Sequence, residues 1–209
     1  DDNKGFIIMS EMNGFRHFYL YDIKGNFLNQ VTRGNYDIDE FLGIDKSKGL
    51  LYYTSSEASP LQRHVYSIKL NGKNKNKLTE KPGTNKAEFS NSSKYFVNYH
   101  SSATSPYYIT VHNSSGKLIR VLEDNKELKD RIKSYGFVNK EFIKIPVSGG
   151  PELDAYLIKP ADFDQTKQYP LFIYIYGGPD SQRVNDKWGS KLAWLQMLVQ
   201  KGYIVACID

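Results

Sequence analysis

Apolar residues in the first 125 positions fall into short bulky runs, each ended by glycine, asparagine or serine, and the runs recur. Gly5-Phe6-Ile7-Ile8-Met9-Ser10 is answered by Gly49-Leu50-Leu51-Tyr52-Tyr53-Thr54 at an offset of 44, and by Lys94-Tyr95-Phe96-Val97-Asn98-Tyr99 a further 45 along. Behind the first two stand Arg16-His17-Phe18-Tyr19-Leu20-Tyr21 and Arg63-His64-Val65-Tyr66-Ser67-Ile68, offset by 47, with Tyr107-Tyr108-Ile109-Thr110-Val111 in the third copy. Turns follow in register as Lys24-Gly25-Asn26, Asn71-Gly72-Lys73 and Ser115-Gly116-Lys117. Glycine there supplies the positive φ of a tight hairpin. A weaker strand then runs to Val31-Thr32, Leu78-Thr79 or Val121-Leu122, and another, such as Glu40-Phe41-Leu42-Gly43-Ile44, leads into the next copy.

Four short antiparallel strands every ~45 residues is the pattern of propeller blades. The chain holds fewer than three such units, too few to close a ring, so it reads as a piece of something longer that starts within a domain. An irregular all-β sandwich is the other architecture that this pattern allows.

The pattern changes over residues 123–140. Glu123 to Lys133 is polar, with Leu128 and Ile132 four apart, which predicts a short surface helix capped by Asp124 or Asn125 and serving as a linker. Glu141 to Pro146 and Leu153 to Ile158, joined through Gly149-Gly150-Pro151, predict a hairpin. Leu171-Phe172-Ile173-Tyr174-Ile175-Tyr176 is a continuous apolar run of the kind buried on both faces of a sheet. Trp188, Leu192, Leu195 and Val199 mark an amphipathic helix ended by Gly202, and Tyr203 to Ile208 is a further buried strand. The predicted organisation is therefore mixed: incomplete β-propeller blades over 1–122, a linker with a short helix over 123–140, and the N-terminal part of an α/β-hydrolase fold over 141–209.

Composition narrows the function classes. Lys plus Arg is 28 against 23 for Asp plus Glu, a net charge of +5 spread over both parts of the chain, so no element forms a dedicated nucleic-acid surface. No apolar run reaches the roughly 18 residues of a bilayer helix, and no membrane segment is expected in this chain. A single cysteine excludes an internal disulfide framework and a cysteine-cluster metal site. Cys207, flanked by apolar residues, reads as a packed small hydrophobe. His17, His64, His100 and His112 lack metal-pair spacing, and the first two recur at equivalent positions, which favours a structural role. Lys73, Lys75, Lys77 and Lys81 read as a solvated hairpin loop, and Ser148-Gly149-Gly150 as a turn with no helix behind it. Neither cofactor nor metal is expected.

An α/β-hydrolase carries its nucleophile in G-x-S-x-G, followed in chain order by an acid and a histidine. None of this is present, so the nucleophile, acid and base are expected outside this chain. The loop after the earlier central strand contributes to the oxyanion hole in that fold, and Tyr176-Gly177-Gly178-Pro179 occupies its place. By composition alone Tyr176 would more often be a core aromatic.

Several stretches together resemble the prolyl oligopeptidase family of serine peptidases, most closely its dipeptidyl peptidase IV branch in a bacterial form. They are Thr54-Ser55-Ser56-Glu57 with Ser59-Pro60-Leu61-Gln62-Arg63-His64, then Arg120-Val121-Leu122-Glu123-Asp124-Asn125, and above all Tyr169-Pro170-Leu171 through Tyr176-Gly177-Gly178-Pro179-Asp180-Ser181-Gln182. The resemblance implies an eight-bladed propeller capping an α/β-hydrolase domain, with dipeptides released from peptide N-termini after proline through an acyl-enzyme. It assigns Tyr176 as the oxyanion-hole donor. It also implies a peptide substrate, a homodimer, and a periplasmic or membrane-anchored extracytoplasmic setting, while the branch's paired glutamates match nothing here. Two other readings stay open: a non-catalytic propeller scaffold for protein binding, and an acylaminoacyl peptidase or esterase of the same superfamily.

Overall fold

Side chains alternate between the two faces of a strand, so a strand that is apolar at every position must be covered on both sides. Leu50–Ser55 and His64–Lys69 carry apolar residues on both faces and are buried at nearly every position, and the structure, a computed structural model describing residues 4–178 and 181–209, sandwiches them between neighbours. Residues 4–100 and 107–124 form one compact unit, and residues 101–106 with 125–209 a second.

The first unit is three meandering sheets. One holds β1 (Gly5–Ser10), β2 (His17–Asp22) and β3 (Phe27–Gln30). The next holds β4 (Ile38–Asp45), β5 (Leu50–Ser55), β6 (His64–Lys69) and β7 (Asn76–Lys77), in that order. The third holds β8 (Thr84–Phe89), β9 (Tyr95–Ser102), β10 (Ser105–Asn113) and β11 (Leu118–Glu123). The two four-stranded sheets and the three-stranded one match the repeat in the sequence, with β1, β5 and β9 as the equivalent strands.

Two apolar cores hold the sheets face to face. Phe18, Val31, Ile38, Leu51, Tyr53, Tyr66 and Ile68 form the first, between the β1–β3 and β4–β7 sheets. Tyr52, Val65, Leu78, Ala87 and Phe96 form the second, between the β4–β7 and β8–β11 sheets. Leu51 and Tyr53 thus point to one side of β5 and Tyr52 to the other, as period-two alternation requires.

In the second unit, α1 (Lys126–Ser134) precedes a four-stranded sheet of order β12-β13-β15-β14, made from β12 (Glu141–Ile145), β13 (Leu153–Ile158), β14 (Leu171–Tyr174) and β15 (Ile204–Ile208). β12, β13 and β15 are antiparallel neighbours, whereas β14 runs parallel to β15 and reaches it through α2 (Leu192–Gln200).

Four local expectations are corrected. Asn125 is the N-cap residue, one of the two expected, but it sits at φ 52 and makes no side-chain capping bond, and Glu123, at the start of the stretch read as helix, still pairs with Ile109 in the β10–β11 ladder. Trp188 lies ahead of α2, whose buried face is Leu192, Leu195, Gln196 and Val199. The Leu171–Tyr176 run is not buried on both faces: Leu171, Ile173 and Ile175 are exposed, since α2 reaches the other face of β14, where Phe172 meets Trp194. The lysine loop is not simply solvated, because Lys75 pairs with Glu57 and lies over the Tyr36 ring, and Lys81 Nζ sits 3.9 Å from the Tyr108 ring centroid. Aromatic faces attract cations and hold these side chains down.

Candidate functional site

Register across the second sheet places Phe142, Tyr156, Cys207 and Tyr174 in one row, since Phe142 pairs with Tyr156, Tyr156 with Cys207 and Cys207 with Tyr174. Cys207 is fully buried, and burial pushes its thiol up against the opposing effect of the Tyr156 hydroxyl, so it behaves as a packed residue and not as a nucleophile. Burial likewise pushes the Tyr156 phenol up, and lowers Lys140, whose ammonium lies 4.7 Å from the Tyr156 ring centroid. Tyr174 is engaged too: Lys191 Nζ donates to its hydroxyl at 3.1 Å.

Two residues further on, the environment changes. β14 ends at Tyr174, and Tyr176 stands beyond it with 52% of its surface exposed, which overrules a core role. Gly177 follows at φ 74, where a larger residue would be strained. A methyl group on Gly178 would lie 3.1 Å from Tyr176 Cε1, so the glycine lets backbone lie against the ring. Pro179 and Asp180, which complete the motif, lie outside the described residues.

Beyond them the chain returns to the ring. The Arg183 guanidinium carbon lies 4.8 Å from the Tyr176 ring centroid. Arg183 and Val184 both donate their backbone N–H groups to Asp209 Oδ2, at 2.7 and 2.6 Å, and Val184 is fully buried. Asp209 follows β15 directly, and its own N–H donates to Asp154 O at 3.1 Å. Sequence reasoning missed Arg183 and Asp209; 26 residues separate them, and no spacing rule joins a strand-end carboxylate to a loop that far away. It also missed Gln196, buried within α2, whose amide donates to Val138 O at 2.7 Å and accepts from Val138 N at 2.9 Å.

An exposed phenol at the C-terminal end of a strand, free of the sheet, can donate a hydrogen bond to a developing oxyanion. Among the described residues no group of three or more His, Cys, Asp or Glu is placed to hold a metal ion. No described helix is long and apolar enough to cross a membrane.

The histidines have structural surroundings. His17 and His64 are buried, and Nδ1 of each lies 3.1 Å from Oγ1 of Thr32 and Thr79 respectively. Each of those oxygens also accepts a backbone N–H, from Phe18 and from Val65, at 3.0 Å. His100 Nε2 bonds Pro82 O, and His112 bonds Thr110 and Gly116 O.

Comparison with known proteins agrees with this architecture. The family model described as "Dipeptidyl peptidase IV (DPP IV) N-terminal region" matches residues 1–107. The chain belongs to this family. The crystal structure of Porphyromonas gingivalis dipeptidyl peptidase 4 superposes with a TM-score of 0.93 at 42% sequence identity, covering 100% of this chain and 29% of that one. A probable dipeptidyl peptidase 4 of Aspergillus flavus is 28% identical over 190 residues, 90% of this chain and 25% of its own length. A probable dipeptidyl-aminopeptidase B of Aspergillus fumigatus is 28% identical over 211 residues, 98% of this chain and 23% of its own. The chain thus spans about a quarter of the length of the dipeptidyl peptidase relatives it matches, and its three sheets are propeller blades of the dipeptidyl peptidase IV kind.

Proposed function

We propose that this chain is part of a serine exopeptidase that releases dipeptides from peptide N-termini after proline, with Tyr176 as an oxyanion-hole donor. Residues 1–122 are its propeller blades, 123–140 the linker, and 141–209 the opening of its α/β-hydrolase domain. The observation that carries the reading is the position of Tyr176: exposed, just past the C-terminal end of β14, and followed by two glycines that admit close backbone approach. The names of the dipeptidyl peptidase relatives support the substrate class.

In such an enzyme a serine hydroxyl, deprotonated by histidine, attacks the scissile carbonyl, whose oxygen gains negative charge in the tetrahedral intermediate. Tyr176 Oη–H would donate to that oxygen and lower the barrier, while nucleophile, base and acid come from outside these 209 residues.

In the full-length enzyme, Gly-Pro p-nitroanilide should be cleaved with saturation and the activity abolished by a serine-directed fluorophosphonate. The isolated 209-residue chain should cleave nothing. Preference for an N-acylated amino-acid amide over Gly-Pro amide would sink the dipeptidyl reading, and a complete absence of hydrolysis would leave a scaffold. Tyr176→Phe should lower kcat about 10²- to 10³-fold with little change in KM, the effect of removing one oxyanion donor.

A further inference from the structure

We propose that Arg183 and Asp209 are positioning residues for Tyr176, Asp209 clamping the backbone at residues 183 and 184 so that the Arg183 guanidinium holds the Tyr176 ring. This rests on the reading of Tyr176 as the oxyanion donor.

Oxyanion stabilisation demands a donor fixed within a fraction of an ångström of its productive direction. Among the described residues, those next to Tyr176 in sequence do not provide that. The sheet ladder has ended at Tyr174, the ring is half exposed, and the two residues after it are glycines with no side chain to buttress it. Tyr174 differs, since Lys191 takes hold of its hydroxyl directly.

What reaches the Tyr176 ring is Arg183, with its guanidinium carbon 4.8 Å from the ring centroid, inside the range where a cation is drawn to an aromatic face. Arg183 Nε is buried and has no hydrogen-bond partner among the described residues. A long side chain on an irregular loop would be a poor brace unless its own backbone were fixed. Asp209 fixes it, with one carboxylate oxygen accepting from both Arg183 N and Val184 N in short, charge-assisted bonds. Asp209 is itself bound to β13 through its N–H to Asp154 O, and Val184 is packed with no exposed surface. A continuous line of contacts therefore runs from the sheet through Asp209 and Arg183 to the phenol.

The test is a double-mutant cycle in the full-length enzyme, with kcat, KM and thermal midpoint measured on Gly-Pro p-nitroanilide. Arg183→Met should lower kcat about tenfold and leave KM within about twofold, since only transition-state placement is lost. Arg183→Lys should recover most of that loss, and Asp209→Asn should lower kcat by a smaller factor. In a Tyr176→Phe background both the Arg183→Met and Asp209→Asn effects should vanish, because no hydroxyl remains to be positioned. An equal loss with and without the tyrosine hydroxyl, a change confined to KM, or a costly Tyr176→Phe beside a silent Arg183→Met overturns the positioning role alone. A silent Tyr176→Phe removes the oxyanion reading, and the brace with it.

Discussion

A methyl group on Gly116 would lie 2.7 Å from the Leu78 carbonyl oxygen and 3.1 Å from Leu78 Cα, so the turn of one blade sits directly on the backbone of the blade before it. Gly72 repeats the relationship one blade earlier, where the added carbon would meet Val31 O at 3.2 Å. Both glycines have positive φ, yet φ is only half of what they supply. The repeat spacing of the blades depends on hairpin turns thin enough to nest against the neighbouring sheet.

Gly116→Ala should therefore cost more than turn strain. Gly25 is the control: its φ of 85 is close to the 89 of Gly116, but nothing lies within 4 Å of its added carbon. Gly25→Ala is expected to lose about 1–2 kcal/mol from the left-handed backbone alone. Gly116→Ala should lose that and roughly 1–3 kcal/mol more, because Leu78 backbone cannot yield as a side chain could. Urea unfolding of the two variants measures the difference; equal losses would mean that the sheets separate freely at this seam.

Removing the Thr79 hydroxyl should unpair a buried N–H. Its oxygen accepts from Val65 N and lies beside His64 Nδ1. Thr79→Val is nearly isosteric and should destabilise by about 1–3 kcal/mol, with Thr79→Ser retaining most of the stability. Matching behaviour at Thr32, with Phe18 and His17 in the same roles, would show that the repeat preserves this bond as a unit.

Acid should weaken the first unit through His64. Burial lowers its pKa below the ordinary 6.5, with Lys77 and His100 adding to the shift and the hydrogen bond to the Thr79 backbone and Glu80 opposing it. The unfolded chain then binds more protons than the folded one, so stability is full above about pH 6.5 and falls as pH drops from there toward the folded-state value. His64→Gln should flatten the slope of unfolding free energy between pH 7 and 5. An unchanged slope would place its origin elsewhere.

Exposed apolar side chains of the first two sheets should drive association of the isolated chain. Phe6, Met9 and Leu28 of the first sheet and Phe41 of the second are each 44–53% exposed around an open cavity of about 780 Å³. Contiguous apolar surface of this kind seeks a partner. Light scattering should show mass rising with concentration, and Phe6→Glu with Leu28→Glu should suppress the rise. A monomer at every concentration would sink the prediction.

The blades were legible because three copies of one strand pattern sit in one sequence, and each copy corroborates the others. His17 and His64 could be read as structural from recurrence alone, although the threonines that engage them, 15 residues further on in each copy, could not. The second unit offered a single copy of everything. Trp188 fitted the apolar period of α2 but precedes the helix, and Gln196 did not fit but is buried within it, because a polar side chain that satisfies two backbone groups defeats hydropathy. Tyr176 was singled out by its glycine context together with the family resemblance, whereas Arg183 and Asp209 come together only by folding.

Cover on both faces gives β5 and β6 a different dynamic standing from every other strand of the first unit. In arrays whose units touch only their neighbours, local opening free energies are greatest where a unit has two partners. Amide hydrogens of Leu51, Tyr52, Tyr53, Val65 and Tyr66, all buried, should be the last to exchange, with protection declining through β2 and β9 toward β11, which is exposed along its whole length. The middle sheet is in that sense the thermodynamic keel of the chain, and the sheets on either side of it breathe about it.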